Sequence, residues 1–331
     1  MAGLGRMGAR HARNLATRVA NAELVALCDP SEETRARAAA ELRVGDTYGD
    51  YAAFLRHPGL DAVFLATPTR EHADQIIGAL EAGKHVFSEK PTSLDLAQCR
   101  RVEQTAARHP QLKAMIGYVR RFDDSYRDAY RKMQDGLIGK PFMVRSQTAD
   151  QNDPSGFFVQ YAAHSGGIFV DMSVHDIDLA RWFLGGPQPV RVYATGTVAL
   201  HQGLKAVGDL DNGIALCEFA NGTVACFQAS RTMAHGHETL TEVLGTAGRL
   251  AIGVNPRMTR VDIADAHGIR NECTPTFYER FEQAFVTEVD TFVNAVLDDR
   301  PLPLTLADAT EATRIAIAIQ ASIRERRSVD L

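Results

Sequence analysis

The chain has no apolar run near the ~18 residues a membrane span requires, no internal repeat and no low-complexity tract. It has no Cys-x-x-Cys pair. Its five cysteines, Cys28, Cys99, Cys217, Cys226 and Cys273, are scattered and odd in number, which reads as small apolar filling in a reducing compartment and not as a disulfide framework or a zinc site. There is no excess of positive charge either. With 36 basic against 41 acidic residues, well interspersed, and a net charge of −5, the surface offers no basic stripe for nucleic acid and no polybasic patch for a membrane. Met1 to Arg13 is rich in Gly and Arg where a signal peptide needs an apolar stretch, so a cytoplasmic location is expected. Aromatics are few, 7% with Trp182 the lone tryptophan, and say little about an interface. What is present, 45% hydrophobic and 23% charged positions over 331 residues, is ordinary globular composition for about two domains, large enough to bury a core without disulfides or a structural metal.

Up to about residue 117, short apolar runs alternate with helical patterns. Strands are expected at 23–28, 61–66, 85–88 and 113–117, and helices at 8–19, 31–42, 70–82 and 94–108, with Ser31, Thr69 and Ser93 as caps at or near helix starts. This alternation implies βαβ units and a parallel sheet. Beyond 120 the rhythm changes. Helices are expected near 123–135 and 167–184, then runs at 190–199, 214–219, 223–229 and 239–244, separated at Ala220-Asn221-Gly222 and Gly245-Thr246-Ala247-Gly248 by turn signals at hairpin distances. Helices at 277–297 and 307–324 close the chain. The fold class is therefore α/β: a dinucleotide-binding parallel-sheet domain over 1–118, then an α+β domain over 119–331 with a large, mostly antiparallel open sheet.

Gly3-Leu4-Gly5-Arg6-Met7-Gly8 is a G-x-G-x-x-G turn opening a helix. Its glycines suit a tight turn, close backbone approach to a pyrophosphate, and helix-on-strand packing, with the phosphates at the positive helix end. Asp29, ending the next strand 21 residues after Gly8, is placed to accept hydrogen bonds from a ribose. It would repel a 2′-phosphate, and Pro30 to Glu33 supply no compensating cation, so NAD is favoured over NADP. The same Asp29-Pro30-Ser31 segment would also serve as a helix cap. A parallel sheet needs a strand before the glycine turn, typically of about five or six residues, yet Gly3 is the third residue. Two expectations stay open: the start lies upstream, or another segment takes the central place.

Glu89-Lys90-Pro91 follows the strand at 85–88, at the carboxyl edge where open α/β sheets bind ligands. In the run from Gly166 to His175, Asp171 and His175 stand four apart and are expected on one helix face, with Asp178 near it. The plainer readings are a surface lysine and a helix-tethering pair. The acidic cluster at 150–153 lacks a histidine at ligand spacing, and no metal is assigned.

Taken together, these motifs resemble the Gfo/Idh/MocA group of NAD(P)-dependent sugar and cyclitol oxidoreductases. The resemblance runs over essentially the whole chain: the glycine fingerprint, Ala66-Thr67-Pro68 with His72, Glu89-Lys90-Pro91, and Asp171 with His175. Within the group, Gly117 to Asp123 and Gly166 to Trp182 look most like inositol 2-dehydrogenases. The resemblance implies a homodimer or homotetramer and a small polyhydroxylated substrate, with Thr67, Pro68, His72, Glu89 and Lys90 at the cofactor beside Gly3, Gly5, Arg6, Met7, Gly8 and Asp29. It implies that Lys90 hydrogen-bonds the reacting hydroxyl, His175 takes its proton, and Asp171 holds a neighbouring hydroxyl or orients the histidine. Further substrate contacts are implied at Arg121, Thr148 and Asp150. A substrate-touching tyrosine of some relatives is replaced by His235 or His237, a departure bearing on which inositol isomer is used. Other chemistries on this scaffold are a pyranose dehydrogenase, an NAD-dependent glycoside hydrolase that returns its hydride, and a non-catalytic NAD(P) sensor, which would be expected to lose the base or the lysine.

Overall fold

The computed structural model describes residues 1–331 and divides into two compact units. One comprises Met1–Phe122 with Gln283–Thr313, the other Asp123–Glu282 with Arg314–Leu331. The first therefore takes in 283–313, a segment that the sequence pattern places in a single downstream domain over 119–331. The reason is packing: Val286, Val289, Phe292 and Val293 of the helix Phe277–Leu297 lie in one core with Leu15, Leu27, Phe64, Phe87 and Met115.

The first unit is built on parallel strands. Ala26–Cys28 pairs with Asp46–Tyr48, and Ala62–Leu65, His85–Glu89 and Ala114–Gly117 pair in that order. Met1–Gly3 joins the two groups. The Ala2 and Gly3 amides donate to Phe64 O and Cys28 O at 2.8 Å each, while Cys28 and Ala66 donate back to Met1 O and Ala2 O at 2.8 and 2.9 Å. Three residues thus occupy the central strand position, and no segment from elsewhere fills it. Helix starts follow local chemistry: Ser31 Oγ accepts the Thr34 amide at 3.2 Å, and Asp95 and Asp123 cap the helices Leu96–Arg108 and Asp124–Gln134. Two expected caps differ. Thr69 lies inside its helix, Thr69–Glu81, with Pro68 in the cap position, and Ser93 instead accepts the Asp95 amide. The strand at 46–48 and the short helix Tyr51–Leu55 went unread because neither is long enough to show a period.

The second unit carries a seven-stranded sheet in the order 248–252, 238–245, 141–151, 224–233, 212–219, 189–197, 329–330. All neighbours are antiparallel except 141–151 with 224–233. Along Asn212–Phe219 burial alternates strictly: Ala215 and Cys217 face inward, and Ile214 and Leu216 stand outward and exposed. The expected helix over 167–184 is two pieces, Ile168–Asp171 and Val174–Phe183, interrupted at Met172-Ser173. No helix is long and apolar enough to cross a membrane.

Candidate active site

In the first unit the glycine turn divides its labour between packing and open space. Gly3 has φ +80°, and a methyl group on it would lie 2.6 Å from the Ala66 carbonyl; one on Gly8 would lie 1.8 Å from Gly3 O. A methyl on Gly5 meets nothing within 4 Å. Gly5 sits at the N-terminus of the helix Arg6–Thr17, whose first turn, with Arg6 and Met7, holds no acidic residue. Exposed amides at a positive helix end beside an unobstructed glycine fit a pyrophosphate. Asp29 braces this turn: Oδ2 accepts the Leu4 amide at 2.8 Å and Oδ1 the Ser31 amide at 2.9 Å, so the carboxylate is fixed beside the loop and also starts the next helix. The Arg35 guanidinium donates to the Asp29 carbonyl, a cation two residues beyond Glu33.

The loops after the next two strands are held by a buried histidine. His72 is 1% exposed, its Nε2 lying 2.8 Å from Thr67 O and its Nδ1 2.9 Å from Pro91 O. Burial pushes its pKa down, against the pull of the two carbonyls. His72 therefore fastens the Thr67 and Pro91 loops to each other, and the cofactor contact expected of it is indirect. Glu89, the last residue of its strand, also turns inward. Its Oε1 is 2.8 Å from His11 Nε2, and its Oε2 accepts the Lys90 amide at 3.2 Å. Burial alone would raise its pKa, but the His11 hydrogen bond and the charges of His11 and Lys90 hold it below the usual carboxylate value. Lys90 is half-buried at the strand's carboxyl edge. Arg121, together with Arg120, is buried, and its guanidinium donates to Pro303 O at 3.3 Å and lies 4.0 Å from Asp308, so it also anchors the chain before the helix Leu306–Glu325.

In the second unit Asp171 ends one short helix and His175, half-buried, lies in the first turn of the next. The helical hydrogen-bond ladder is interrupted between them at Met172-Ser173, although both of those residues keep right-handed helical backbone. Asp171 Oδ2 is 2.5 Å from Arg231 Nη2, a residue the sequence reading missed. Its signal was available: Arg231 is the single charged side chain of the strand Val224–Met233. Arg231 lies 5.2 Å over the Phe158 ring, and its amide donates to Asp211 O at 2.8 Å. Thr148 is 4% exposed and donates to Asp176 Oδ2 at 2.6 Å; Ser146 donates to Asp176 Oδ1 at the same distance. Thr148 is thus a core residue that holds a carboxylate. Asp150 Oδ1 is 2.8 Å from Nδ1 of His237, which is 1% exposed, so His237 would act on a ligand through Asp150. His235 is an exposed loop residue paired with Glu238 at 3.0 Å.

The glycine turn open at Gly5 and the parallel strands around it mark the first unit as a dinucleotide-binding domain, and each unit is matched by a known family. Residues 1–118 match the model of an oxidoreductase family with an NAD-binding Rossmann fold, and 126–251 match the GFO/IDH/MocA C-terminal domain. The chain belongs to the Gfo/Idh/MocA family. It is 37% identical to the scyllo-inositol 2-dehydrogenase (NAD(+)) of Bacillus subtilis, over 99% of this chain and 94% of that one. With the myo-inositol 2-dehydrogenase of Thermotoga maritima it shares 33% identity, over 99% and 97%. Among solved structures, the scyllo-inositol dehydrogenase from Lactobacillus casei with bound NAD(H) and scyllo-inositol superposes with a TM-score of 0.96 at 38% identity, covering 99% and 97% of the two chains.

Proposed function

We propose that Lys90, Asp171 and His175 carry out the NAD-dependent oxidation of a secondary ring hydroxyl of an inositol to the ketone. The activity class follows from the family and from relatives matched over nearly their full length. The assignment of roles rests on the chemistry of the three residues. Gly3, Gly5, the first turn at Arg6-Met7-Gly8, Asp29, and the loops at Thr67-Pro68 and Glu89-Lys90 would hold the dinucleotide. A dinucleotide held there would supply the acceptor for the hydride that leaves the carbinol carbon. The chain's own task is the proton. A ring hydroxyl is a very weak acid, so its oxidation needs a base matched to neutral pH, and the imidazole of His175 suits that role. The Lys90 ammonium donates to the same oxygen and stabilises the alkoxide as charge develops. Asp171, fixed by Arg231, holds a neighbouring hydroxyl and so sets which ring position faces the base. Asp150, held by His237, is a second acceptor for the ring.

The observation that carries this reading is the Asp171–Arg231 pair, 18% and 11% exposed: a carboxylate held by a guanidinium one turn before a half-buried histidine. The reading extends to a cytoplasmic location, supported by five free cysteines of which burial pushes Cys28 and Cys99 up to about 11 and Cys217 to about 12, values suited to inert thiols, and, on the family resemblance and the balanced charge, to a homo-oligomer without nucleic-acid or membrane partners. The test is NADH formation, followed by absorbance, with NAD and NADP against myo-, scyllo- and chiro-inositol, glucose, galactose and xylose. One inositol should reduce NAD, and His175→Ala should lower turnover about 10²–10⁴-fold while NAD still binds. Silence across the panel with NAD bound would overturn the dehydrogenase reading in favour of the hydrolase or sensor.

A further inference from the structure

The helix Phe277–Leu297 presents to the first unit's core the stripe Phe285, Glu288, Val289, Phe292. Every member but one is apolar. Glu288 is 0% exposed and neither carboxyl oxygen meets a hydrogen-bond donor. Its Oε1 sits 3.1 Å from where a methyl on Gly117 would lie, and the Phe87 ring is 3.1 Å from the same point. Gly117 is the cross-strand partner of Glu89, so the orphan carboxyl lies beside the strand end that carries Glu89 and Lys90. The wall is shared: His11, bonded to Glu89, packs edge-on against Phe87 and Phe285 at 5.7 Å each. A leucine would suit this stripe better, and a buried carboxyl without donors costs stability unless it stays protonated.

Two carboxyls in one low-dielectric pocket do not both ionise. Glu89 has two donors, His11 Nε2 and the Lys90 amide; Glu288 has none, so the proton belongs on Glu288. Burial, and then the negative charge of Glu89, push Glu288 well above the usual carboxyl value. The titratable and charged groups facing the pair are His11 from the helix Arg6–Thr17, Lys90 from the strand end and His72 from the helix Thr69–Glu81; Gly117 and the rest of the stripe bring none. We propose that Glu288 is a positioning residue that acts as a neutral acid, taking the one proton the pair must hold and so fixing Glu89 as the anion that grips the Lys90 backbone and balances its ammonium. This rests on Lys90 serving the dehydrogenase reaction, as proposed above. When Glu288 loses its proton, a second negative charge enters the pocket and the Glu89–Lys90 segment loses its fixed geometry.

The experiment compares wild type, Glu288→Gln and Glu288→Leu in two measurements. The first is thermal stability of the full chain against pH, without substrate. Folded wild type keeps a proton that the unfolded chain releases above the ordinary carboxyl value of 4.5, so its stability falls as pH rises from there to the folded value, whereas both variants lack that slope. The variant-minus-wild-type difference in Tm should therefore grow with pH; a difference constant with pH overturns the proposal. The second is inositol oxidation against pH. Wild type should lose kcat/KM on the alkaline side as Glu288 ionises, and in Glu288→Gln that loss should move up by about one pH unit or more. Superimposed activity profiles beside a pH-dependent stability difference would make Glu288 merely structural and overturn its positioning role. An inactive wild type that still shows the stability slope would count against the dehydrogenase reading and not against the protonated acid.

Discussion

The two units bury carboxylates in opposite ways. Around Asp171 in the second unit, each acid is supplied with donors: Asp171 with Arg231, Asp176 with Ser146 and Thr148, Asp150 with His237, and Asp211 with the amides of Ala199, Leu200 and His201 at 2.8 to 3.0 Å. Against the cost of burial, those amides hold the Asp211 pKa below the usual carboxylate value. Around Lys90 in the first unit the walls are aromatic, donors are few, and Glu288 has none. One region keeps its charges by hydrogen bonding; the other limits their number by holding a proton. The carboxylates of the second unit should therefore hold their charge through neutrality, and the first unit's Glu89–Glu288 pair should carry a carboxyl pH dependence of its own.

The largest expected effect comes from removing a donor where charge is fixed. Arg231→Leu leaves the partly buried Asp171 with its cation gone, a loss of about 1–3 kcal/mol for a carboxylate that loses its charged donor; catalytic efficiency toward inositol should fall by roughly 10²-fold or more, with Arg231→Lys recovering part of it. If Arg231→Leu oxidised inositol as well as wild type does, Asp171 would not be the held acceptor described here. In the first unit, His11→Leu takes the imidazole from Glu89, but here a proton can replace it. The expected loss is about 1–3 kcal/mol at neutral pH, shrinking as pH falls because Glu89, deprived of its donor, protonates more readily. Denaturant unfolding at several pH values reads this directly, and a pH-independent loss would erase the contrast between the units. Thr148→Val tests the second region away from Asp171. It strips one of the two hydroxyl donors from Asp176 and should cost about 1–2 kcal/mol in urea unfolding.

Period and punctuation made much of this legible in the sequence. The helix at 277–297 and the strands at 85–89 and 114–117 carry long or strongly apolar patterns, and the hairpin turns at 220–222 and 245–248 announce themselves with Asn-Gly and paired glycines. Asp29 and Lys90 could be placed because both sit where a strand ends. What stayed hidden depends on residues distant in sequence. Nothing local distinguishes Thr148, whose hydroxyl is committed to Asp176, from a substrate contact, nor reveals that Arg121 turns toward Pro303. The split between Asp171 and His175 was masked because four-residue spacing looks the same whether or not the helix is continuous. Arg231 and Glu288 were visible as lone charges in apolar patterns, a signal that marks burial without naming the partner.

The smallest effect is expected at Gly5, and it separates fold from cofactor within the first unit. Its backbone, φ −65° and ψ −165°, is open to alanine, and the added methyl meets nothing within 4 Å. Glycine to alanine at such a position is neutral or stabilising by about 0.4–1 kcal/mol, because the unfolded chain loses freedom. The melting temperature of the cofactor-free Gly5→Ala protein should therefore hold or rise slightly. The rise in Tm that NAD gives by binding the folded state should shrink, because the methyl stands where the phosphates approach the helix end. Gly8→Ala supplies the opposite control, since its methyl would lie 1.8 Å from Gly3 O and must displace the turn. A Gly5→Ala protein whose NAD-induced shift matched that of wild type would mean the dinucleotide does not pass over Gly5, and the open space there would need another explanation.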